Sequence, residues 1–517
     1  MTVSRWRTSA AGVVSGLLLA LAFPPHDITI LLPLALVPWI VALVSEERRG
    51  RALLSGALFG LAFWCASVPW VSYVVTVYGG QPPAMGVVCV GILATILAEW
   101  TAAVAWGTAA VAPPGSWKRL AAFPVLWTAA EHARSVIYGG FPWNLTGWAL
   151  ARRPVWIQTA AVWGVYGVGF AVVAGATLIA ASVARRRVVF LAAAAAAALA
   201  LGVAGALRLT AAASSDGAPV RVSLIQPNLA EEDRRTSEKA AAGYRALLAR
   251  GEEAAAAGAD LIVFPESAFP AYWEKSSRLR EDLTRLSASC RCAILFNDVT
   301  SEPDGRASNA ARILTPDGLA RGIYRKVHLV PFGEYVPLPR LFFFARQISQ
   351  EIGEFLPADS PVVLRSAPLA LGVGICYEII YPGLALRQTA DGANLLATIS
   401  NDSWYGRAGA QEQHFSGALF RAVENGRYLV RAAITGISGI VDPRGRILAE
   451  IPPNRAGTVA GTVFLRQGAT AWTRWGHLLP LLADAIAAGV LLFGLARWGR
   501  ERSARRRRPA ALHGETT

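Results

Sequence analysis

Charged residues are scarce in this chain. Only 16% of its 517 residues are Asp, Glu, Lys or Arg, 54% are hydrophobic, and the mean hydropathy is +0.38. Because a soluble protein usually has about a quarter charged residues, the composition excludes an ordinary soluble protein of this length. The apolar excess lies in 9–207 and 478–496. We therefore predict a transmembrane domain at 1–207, a soluble domain at 208–477, and a last span with a basic tail at 478–517.

Cysteine is also rare. The chain has five cysteines, Cys65, Cys89, Cys290, Cys292 and Cys376. The odd count, and the position of the first two in apolar segments, argue against a disulfide framework. Only one residue separates Cys290 from Cys292, which is a poor geometry for a bridge. Since no nearby His or Cys completes a set of metal ligands, the sequence predicts neither a structural disulfide nor a metal site.

Acidic residues are outnumbered. There are 35 Asp and Glu against 50 Lys and Arg, so the formal net charge is +15 and the pI is near 10.1. Such a balance can indicate nucleic-acid binding. Here, however, the basic clusters flank apolar segments, which is the positive-inside pattern of membrane proteins. The clusters are Arg5 with Arg7, 48–51, 118–119, 185–187 and 505–508. If these clusters lie in the cytoplasm, Arg152 and Arg153 are the only basic pair that flanks an apolar segment on the opposite side of the membrane. Residues 208–477 then lie outside the cytoplasm.

Eight segments are apolar and long enough to be interpreted as membrane spans, which need about 20 residues. They are 9–23, 28–45, 54–76, 85–112, 120–137, 157–184, 188–207 and 478–496. An even number of spans places both termini in the cytoplasm. Polar residues inside spans are often functional, so Glu99, Glu131 and His132 are candidates, unless they pair within the bundle. The aromatic loop at 139–148 either borders a lipid-entry site or anchors the protein at the outer surface.

The soluble segment alternates strands with helices and hairpins, which indicates α/β layers with a mixed sheet. Strands are expected at 220–226, 260–264, 292–296, 310–314, 320–324, 369–375, 395–399, 430–434, 439–441 and 447–450. Helices are expected at 237–257, 280–289, 382–390 and 411–427.

Three polar residues follow predicted buried strands: Glu266, Lys326 and Cys376. Strand ends meet at one edge of an α/β sheet, which would bring the three together. There the carboxylate can take the thiol proton, the thiolate can attack an acyl carbonyl, and the ammonium can stabilise the resulting oxyanion. The ordinary alternatives are a solvated carboxylate, a surface lysine and a core cysteine.

Several motifs resemble the nitrilase superfamily, and more closely its membrane-bound branch, the apolipoprotein N-acyltransferases. They are Pro265-Glu266-Ser267, the block from Tyr324 to Pro337, Gly374-Ile375-Cys376-Tyr377-Glu378, 400–406, 413–415, 421–427, 435–438 and 140–143. The resemblance covers nearly the whole chain. It implies a multi-span α-helical membrane domain and an extracytoplasmic nitrilase-like α-β-β-α sandwich, with Glu266, Lys326 and Cys376 as the catalytic triad. The tryptophan that the family usually has shortly after Asn228 is missing in 229–234.

The resemblance also implies further site residues and a reaction. Glu334 would be a second essential carboxylate that positions the lysine or the base, and Tyr377 and Glu378 would belong to the site. The reaction would move an acyl chain from a membrane phospholipid, through a thioester on Cys376, to the N-terminal α-amino group of S-diacylglyceryl-cysteine in apolipoproteins. It needs no cofactor and no nucleic acid. The site would face the periplasmic side of a bacterial cytoplasmic (inner) membrane.

Other interpretations of the site remain open. His328 and His414 could be bases, but a local hydrogen-bonding role fits better because a carboxylate already supplies a base. The protein could be a membrane-tethered nitrilase-type amidase or hydrolase that uses water as the acceptor. It could also be a non-catalytic membrane scaffold for a glycosyltransferase, although the intact Glu266, Lys326 and Cys376 argue against this.

Overall fold

The computed structural model describes residues 6–211, 217–229, 237–302, 305–337, 340, 354–406 and 409–506. Positions 230–234, in the stretch without the family's tryptophan, lie outside the described residues. So does the end of the basic tail, residues 507–517.

The described part of the first 211 residues is α-helical. Its helices are α1 (Arg7–Ala20), α2 (Leu32–Ala35), α3 (Val37–Val44), α4 (Arg49–Ser67), α5 (Trp70–Tyr73), α6 (Pro83–Val111), α7 (Trp117–Val136), α8 (Pro154–Ile157), α9 (Ala160–Arg185) and α10 (Val188–Thr210). Buried aromatic rings hold the bundle together: Trp39 stacks on Phe59 with centroids 4.4 Å apart, and the edge of Trp127 meets Phe59 at 5.7 Å.

Five helices of the described part are long and apolar enough to cross a membrane: α4, α6, α9, α10 and Leu478–Arg500. The other predicted spans are helical too, but α1 and the helices within Thr29–Val44 are shorter, and α7 carries four charged side chains. The segment predicted as one span over 54–76 is divided, because α4 ends at Ser67 just before Pro69. Proline disfavours helical backbone in the residue before it, and Val68 leaves the helical region.

The next part of the chain contains two six-stranded sheets. The strands are β1 (Pro219–Gln226), β2 (Leu261–Val263), β3 (Ala293–Ser301), β4 (Ala307–Leu314), β5 (Ala320–Arg325), β6 (Val363–Ser366), β7 (Leu369–Ile375), β8 (Leu395–Ser400), β9 (Leu429–Ala433), β10 (Ser438–Val441), β11 (Ile447–Ile451) and β12 (Gly457–Phe464). The helices are α11 (Ser237–Ala256), α12 (Ser277–Cys290), α13 (Pro382–Ala390), α14 (Ala410–Asn425), α15 (Ala471–Trp475) and α16 (Leu478–Arg506).

Both sheets are mixed. The first has the order β12-β1-β2-β3-β4-β5, with β1, β2 and β3 parallel. The second has the order β11-β10-β9-β8-β7-β6, with β7, β8 and β9 parallel. The sequence had not predicted β6 and β12, which pair antiparallel with β7 and β1. The fold prediction, a membrane helix bundle with a nitrilase-like α/β domain, is confirmed.

Alternation along the strands builds the layers. In β2, Leu261 and Val263 face the second sheet, and Ile262 faces the helices α11 and α12. This is the period of two that side chains follow along a strand. On the opposite side of the domain, α14 packs with the membrane bundle, since Phe415 and Leu419 share one core with Trp148. The layers are therefore α-β-β-α, and one helical layer rests on the bundle.

The structure corrects the prediction for Cys290 and Cys292. They form a disulfide, with an S–S distance of 2.05 Å and a Cα–Cα distance of 5.1 Å. Arg291 takes the left-handed conformation at the end of α12, with φ of 51°. The chain therefore reverses between the two cysteines, and the bridge becomes possible despite the short spacing.

Buried Arg119 ties three parts of the bundle together at the start of α7. Its side chain is 2% exposed, and it donates to five backbone carbonyl oxygens at the end of α3, just after it and at the end of α6. The acceptors are Leu43, Val44, Glu46, Ala109 and Ala112. Only the forked guanidinium has enough donors for this arrangement.

We predict that Arg119→Lys lowers the midpoint of thermal unfolding of the detergent-solubilised protein by about 5 °C, because buried carbonyls lose their donors. Lys118→Ala is the matched control, since Lys118 is the exposed neighbour and should leave the midpoint unchanged. An unchanged midpoint for Arg119→Lys would show that these bonds do not hold the bundle together.

Candidate active site

Strand β7 ends at a sharp turn that carries Cys376. All seven residues of β7 are buried, and a 3₁₀ turn over Cys376–Ile380 follows directly. Cys376 itself is left-handed, with φ of 52°, and is 6% exposed. This backbone conformation costs an ordinary residue about 1–2 kcal/mol. Strained positions of this kind cluster at functional sites, and here the turn removes the cysteine from the sheet alternation.

The structure brings the predicted lysine and both predicted carboxylates together. The Nζ of Lys326 lies 2.9 Å from Oε1 of Glu334 and 3.6 Å from Oε1 of Glu266. The Nδ2 of Asn309, on β4, donates to the same two oxygens, at 2.9 Å to Glu266 and 2.8 Å to Glu334. All four side chains are buried. An ammonium and an amide thus hold two carboxylates that would otherwise repel each other.

Burial and charge set the protonation of the thiol and the ammonium. Burial raises the pKa of Cys376 well above its ordinary value; the Glu266 carboxylate raises this pKa further, and Lys326 opposes both. Burial alone would lower the pKa of Lys326, but Glu334 and Glu266 outweigh it and the net direction is upward. At neutral pH the site therefore holds a thiol and an ammonium, so the thiol needs a base before it can attack a carbonyl.

Backbone donors orient the carboxylates. The N–H of Asn401, just after β8, donates to Oε2 of Glu266 at 2.9 Å. The N–H of Val330 donates to Oε2 of Glu334 at 2.8 Å. Each carboxylate is therefore held from both sides, with one oxygen turned toward Lys326.

Glu378 connects the cysteine turn to the loop after Lys326. Its carboxylate accepts the Tyr324 hydroxyl at 2.8 Å, and the N–H groups of Val327 at 2.7 Å, His328 at 3.0 Å and Ile375 at 2.8 Å. Burial raises its pKa to about 7. With these donors already bound, Glu378 holds two loops together at the site.

Tyr377 faces the membrane domain. Its hydroxyl lies 3.5 Å from the carbonyl oxygen of Gly140, and the Tyr381 hydroxyl donates to the same oxygen at 2.9 Å. The aromatic loop that the sequence analysis singled out therefore meets the residue directly after Cys376.

Of the three polar residues predicted inside spans, Glu131 and His132 bind other residues of the membrane bundle. Oε1 of Glu131 accepts the Thr146 N–H at 2.6 Å and the Thr146 hydroxyl at 2.8 Å. The His132 Nδ1 lies 2.7 Å from Asp484. Glu99 lies on an exposed face of α6. Sequence reasoning missed Asn309, although an Asn inside a buried strand was a signal that could have found it.

Two stacked sheets with a buried cysteine, lysine and glutamate at their strand ends define a carbon-nitrogen hydrolase of the nitrilase type. The carbon-nitrogen hydrolase family matches residues 221–471, and the apolipoprotein N-acyltransferase N-terminal domain matches residues 15–178. The chain belongs to the apolipoprotein N-acyltransferase family.

Relatives cover nearly the whole chain. The apolipoprotein N-acyltransferase of Geobacter metallireducens is 34% identical over 504 residues, which is 94% of this chain and 95% of that protein. The one from Gloeobacter violaceus is 32% identical over 510 residues, 96% of each chain. Among solved structures, an amidase from Nesterenkonia sp. is 20% identical with a TM-score of 0.37, and the match covers 49% of this chain and 92% of that one.

We predict that Cys376 is alkylated slowly at neutral pH. In a background lacking the free cysteines Cys65 and Cys89, the iodoacetamide rate should rise about tenfold per pH unit from pH 7 to 9 without a plateau, because the raised pKa leaves little thiolate. Intact-mass analysis gives the rate. A plateau below pH 8 would contradict this protonation state.

The same assay tests the effect of the Lys326 ammonium on the pKa of the Cys376 thiol. Lys326→Met removes the charge that lowers the thiol pKa, so the pKa should rise and alkylation at pH 8 should slow by about tenfold. Lys275→Met, at an exposed lysine, is the matched control.

Proposed function

We propose that Glu266, Lys326 and Cys376 are the catalytic residues with which this enzyme transfers an acyl chain from a membrane phospholipid to an apolipoprotein. The acceptor is the N-terminal α-amino group of S-diacylglyceryl-cysteine. The observation that carries this proposal is the buried Lys326 ammonium, which two carboxylates hold and whose loop Glu378 joins to the turn at Cys376. Family membership supports an acyltransferase that is embedded in the membrane and matures lipoproteins.

The first half-reaction forms a thioester. Glu266 accepts the thiol proton while Sγ of Cys376 bonds to the ester carbonyl carbon of the phospholipid. Lys326 stabilises the negative oxygen of the tetrahedral intermediate. The ester C–O bond then breaks, and Glu266 returns the proton to the departing oxygen, which gives a lysophospholipid.

The second half-reaction forms an amide. The α-amino nitrogen attacks the thioester carbonyl, and Glu266 accepts a proton from this nitrogen. The C–S bond then breaks, and the proton passes to sulfur, which restores the thiol. Both substrates are anchored in the membrane, so the tethered domain meets them at the surface.

The remaining predicted residues hold the site in place. Glu334 fixes the Lys326 ammonium at 2.9 Å, which fits a positioning carboxylate. Glu378 joins the turn at Cys376 to the loop after Lys326, and Tyr377 rests against the membrane loop. Their hydrogen bonds favour orientation of the triad over a part in proton transfer.

We place residues 208–477 outside the cytoplasm, at the periplasmic face of the inner membrane, with 1–207 and 478–496 in the membrane and both termini in the cytoplasm. The basic clusters favour this topology. The Cys290–Cys292 bridge supports it, since disulfides persist in oxidising compartments. The two exceptions to the charge rule are paired: Arg152 with Glu450 at 3.3 Å, and Arg153 with Asp27 at 3.5 Å.

We predict that the purified protein, incubated with a phospholipid of one defined acyl chain, gains the mass of one acyl group on the peptide that contains Cys376. A diacylglyceryl-cysteine lipopeptide should then discharge it as an amide. Cys376→Ala and Cys376→Ser should lose adduct and turnover, while Cys89→Ala, the matched control, keeps both.

A fully active Cys376→Ala enzyme would end this mechanism. Release of free fatty acid alone, without amide, would identify a hydrolase that uses water as the acceptor.

We predict that a reporter enzyme active only outside the cytoplasm is active when fused after Gly217. A fusion after Arg186, in the basic turn between α9 and α10, should be inactive and is the control. The reverse pattern would invert the proposed topology.

A further inference from the structure

His414 bonds directly to the backbone of the nucleophile. It lies on α14, has no exposed surface, and its Nε2 is 2.9 Å from the carbonyl oxygen of Cys376. A carbonyl oxygen can only accept, so Nε2 carries the proton. Because the carbonyl belongs to the left-handed residue itself, this bond restrains the peptide whose orientation makes the turn.

The second nitrogen of the His414 ring, Nδ1, is also restrained. Its Nδ1 lies 3.0 Å from Oδ1 of Asp402 and 3.1 Å from Nη2 of Arg431, and Arg431 donates to Asp402 at 2.7 Å. The Ser400 hydroxyl donates to Asp402 at 2.5 Å. Burial lowers the pKa of His414, and the Asp402 carboxylate opposes this shift. Asp402 and Arg431 thereby fix the orientation of the ring, which keeps its Nε2 directed at the carbonyl oxygen of Cys376.

The membrane domain contacts the same ring. Trp143, in the aromatic loop, stacks on His414 with centroids 5.6 Å apart and planes inclined by 25°. The Trp143 Nε1 donates to Oε1 of Gln413 at 2.7 Å. The Nε2 of Gln413 then donates to the carbonyl oxygens of Pro24 at 2.8 Å and Ser67 at 3.0 Å. Gln413 therefore binds three separate segments of the membrane bundle, and the next residue binds the nucleophile.

We propose that His414 is a positioning residue for acyl transfer. Through Gln413 and Trp143, the reactive conformation of Cys376 then depends on how the membrane bundle packs against α14. This inference rests on the proposed function. The left-handed backbone of Cys376 is unfavourable by itself, and a buried hydrogen bond is strong enough to offset such strain. Without the bond, the turn relaxes and the sulfur is no longer held in its reactive position.

Three variants separate this role from general packing. His414→Phe keeps a ring against Trp143 but removes the donor, while His414→Gln keeps a donor at the end of its side chain. His477→Phe, at an exposed histidine, is the control. The measurement is the rate of acyl-Cys376 formation over a series of phospholipid concentrations, by intact mass, with the thermal midpoint of each variant recorded.

His414→Phe should lower the maximal rate of acylation by about 10- to 100-fold, with little change in the phospholipid concentration that gives half of that rate, because the substrate still binds while the sulfur is misplaced. His414→Gln should recover most of the loss. Wild-type rates in a folded His414→Phe protein would overturn the inference.

A variant at the membrane side covers the case in which His414→Phe does not fold. Trp143→Phe keeps an aromatic face but loses the bond to Gln413, and it should slow acylation in the same way. A wild-type rate for Trp143→Phe would overturn the link to the bundle. Failure of the wild-type protein to form any adduct would instead defeat the proposed function, so the two failures are distinguishable.

Discussion

The active site depends on the buried ammonium of Lys326. Lys326 is almost completely excluded from solvent, and an isolated ammonium in such a place would be strongly unfavourable. Two carboxylates compensate it, and these carboxylates in turn need donors, which Asn309 and the N–H groups of Val330 and Asn401 supply. Removing one member of such a set leaves a buried charge unpaired. Together with burial, the charges of Glu266 and Lys326 set the protonation of the Cys376 thiol.

The two sheets must pack together for this set to exist. Glu266, Asn309 and Lys326 come from the first sheet and the turns that follow its strands. Cys376 and the N–H of Asn401 come from the second sheet. The apolar layer between the sheets therefore does more than stabilise the domain, because its thickness sets how far the sulfur on the second sheet lies from the base and the ammonium on the first.

The membrane domain also contacts residues of the active site. Its aromatic loop approaches Tyr377 through Gly140 and His414 through Trp143. A soluble relative of this fold would need other groups to cover these positions. In this membrane-embedded enzyme, such contacts hold the membrane domain and the nucleophile in a fixed relative position.

The sequence alone determined the local structure of this protein. Strand β7 and its terminal cysteine, the β4–β5 hairpin and the long apolar helices all follow from patterns within a few residues. So do the candidate residues Glu266, Lys326 and Cys376, which lie within three residues of the ends of their strands. The predicted spans fall on helices, but in the described part five of these are long and apolar enough to cross a membrane, and the spans over 28–45 and 54–76 are divided.

Only the tertiary structure decided how these parts meet. Asn309 lies 43 residues from Glu266, and His414 lies 38 residues from Cys376, so no local pattern could show those bonds. The Cys290–Cys292 bridge depended on the left-handed turn at Arg291, which the sequence pattern did not reveal. The physical reason is that periodicity reports which side of an element is buried, whereas hydrogen bonds and charges act between atoms that only packing brings within reach.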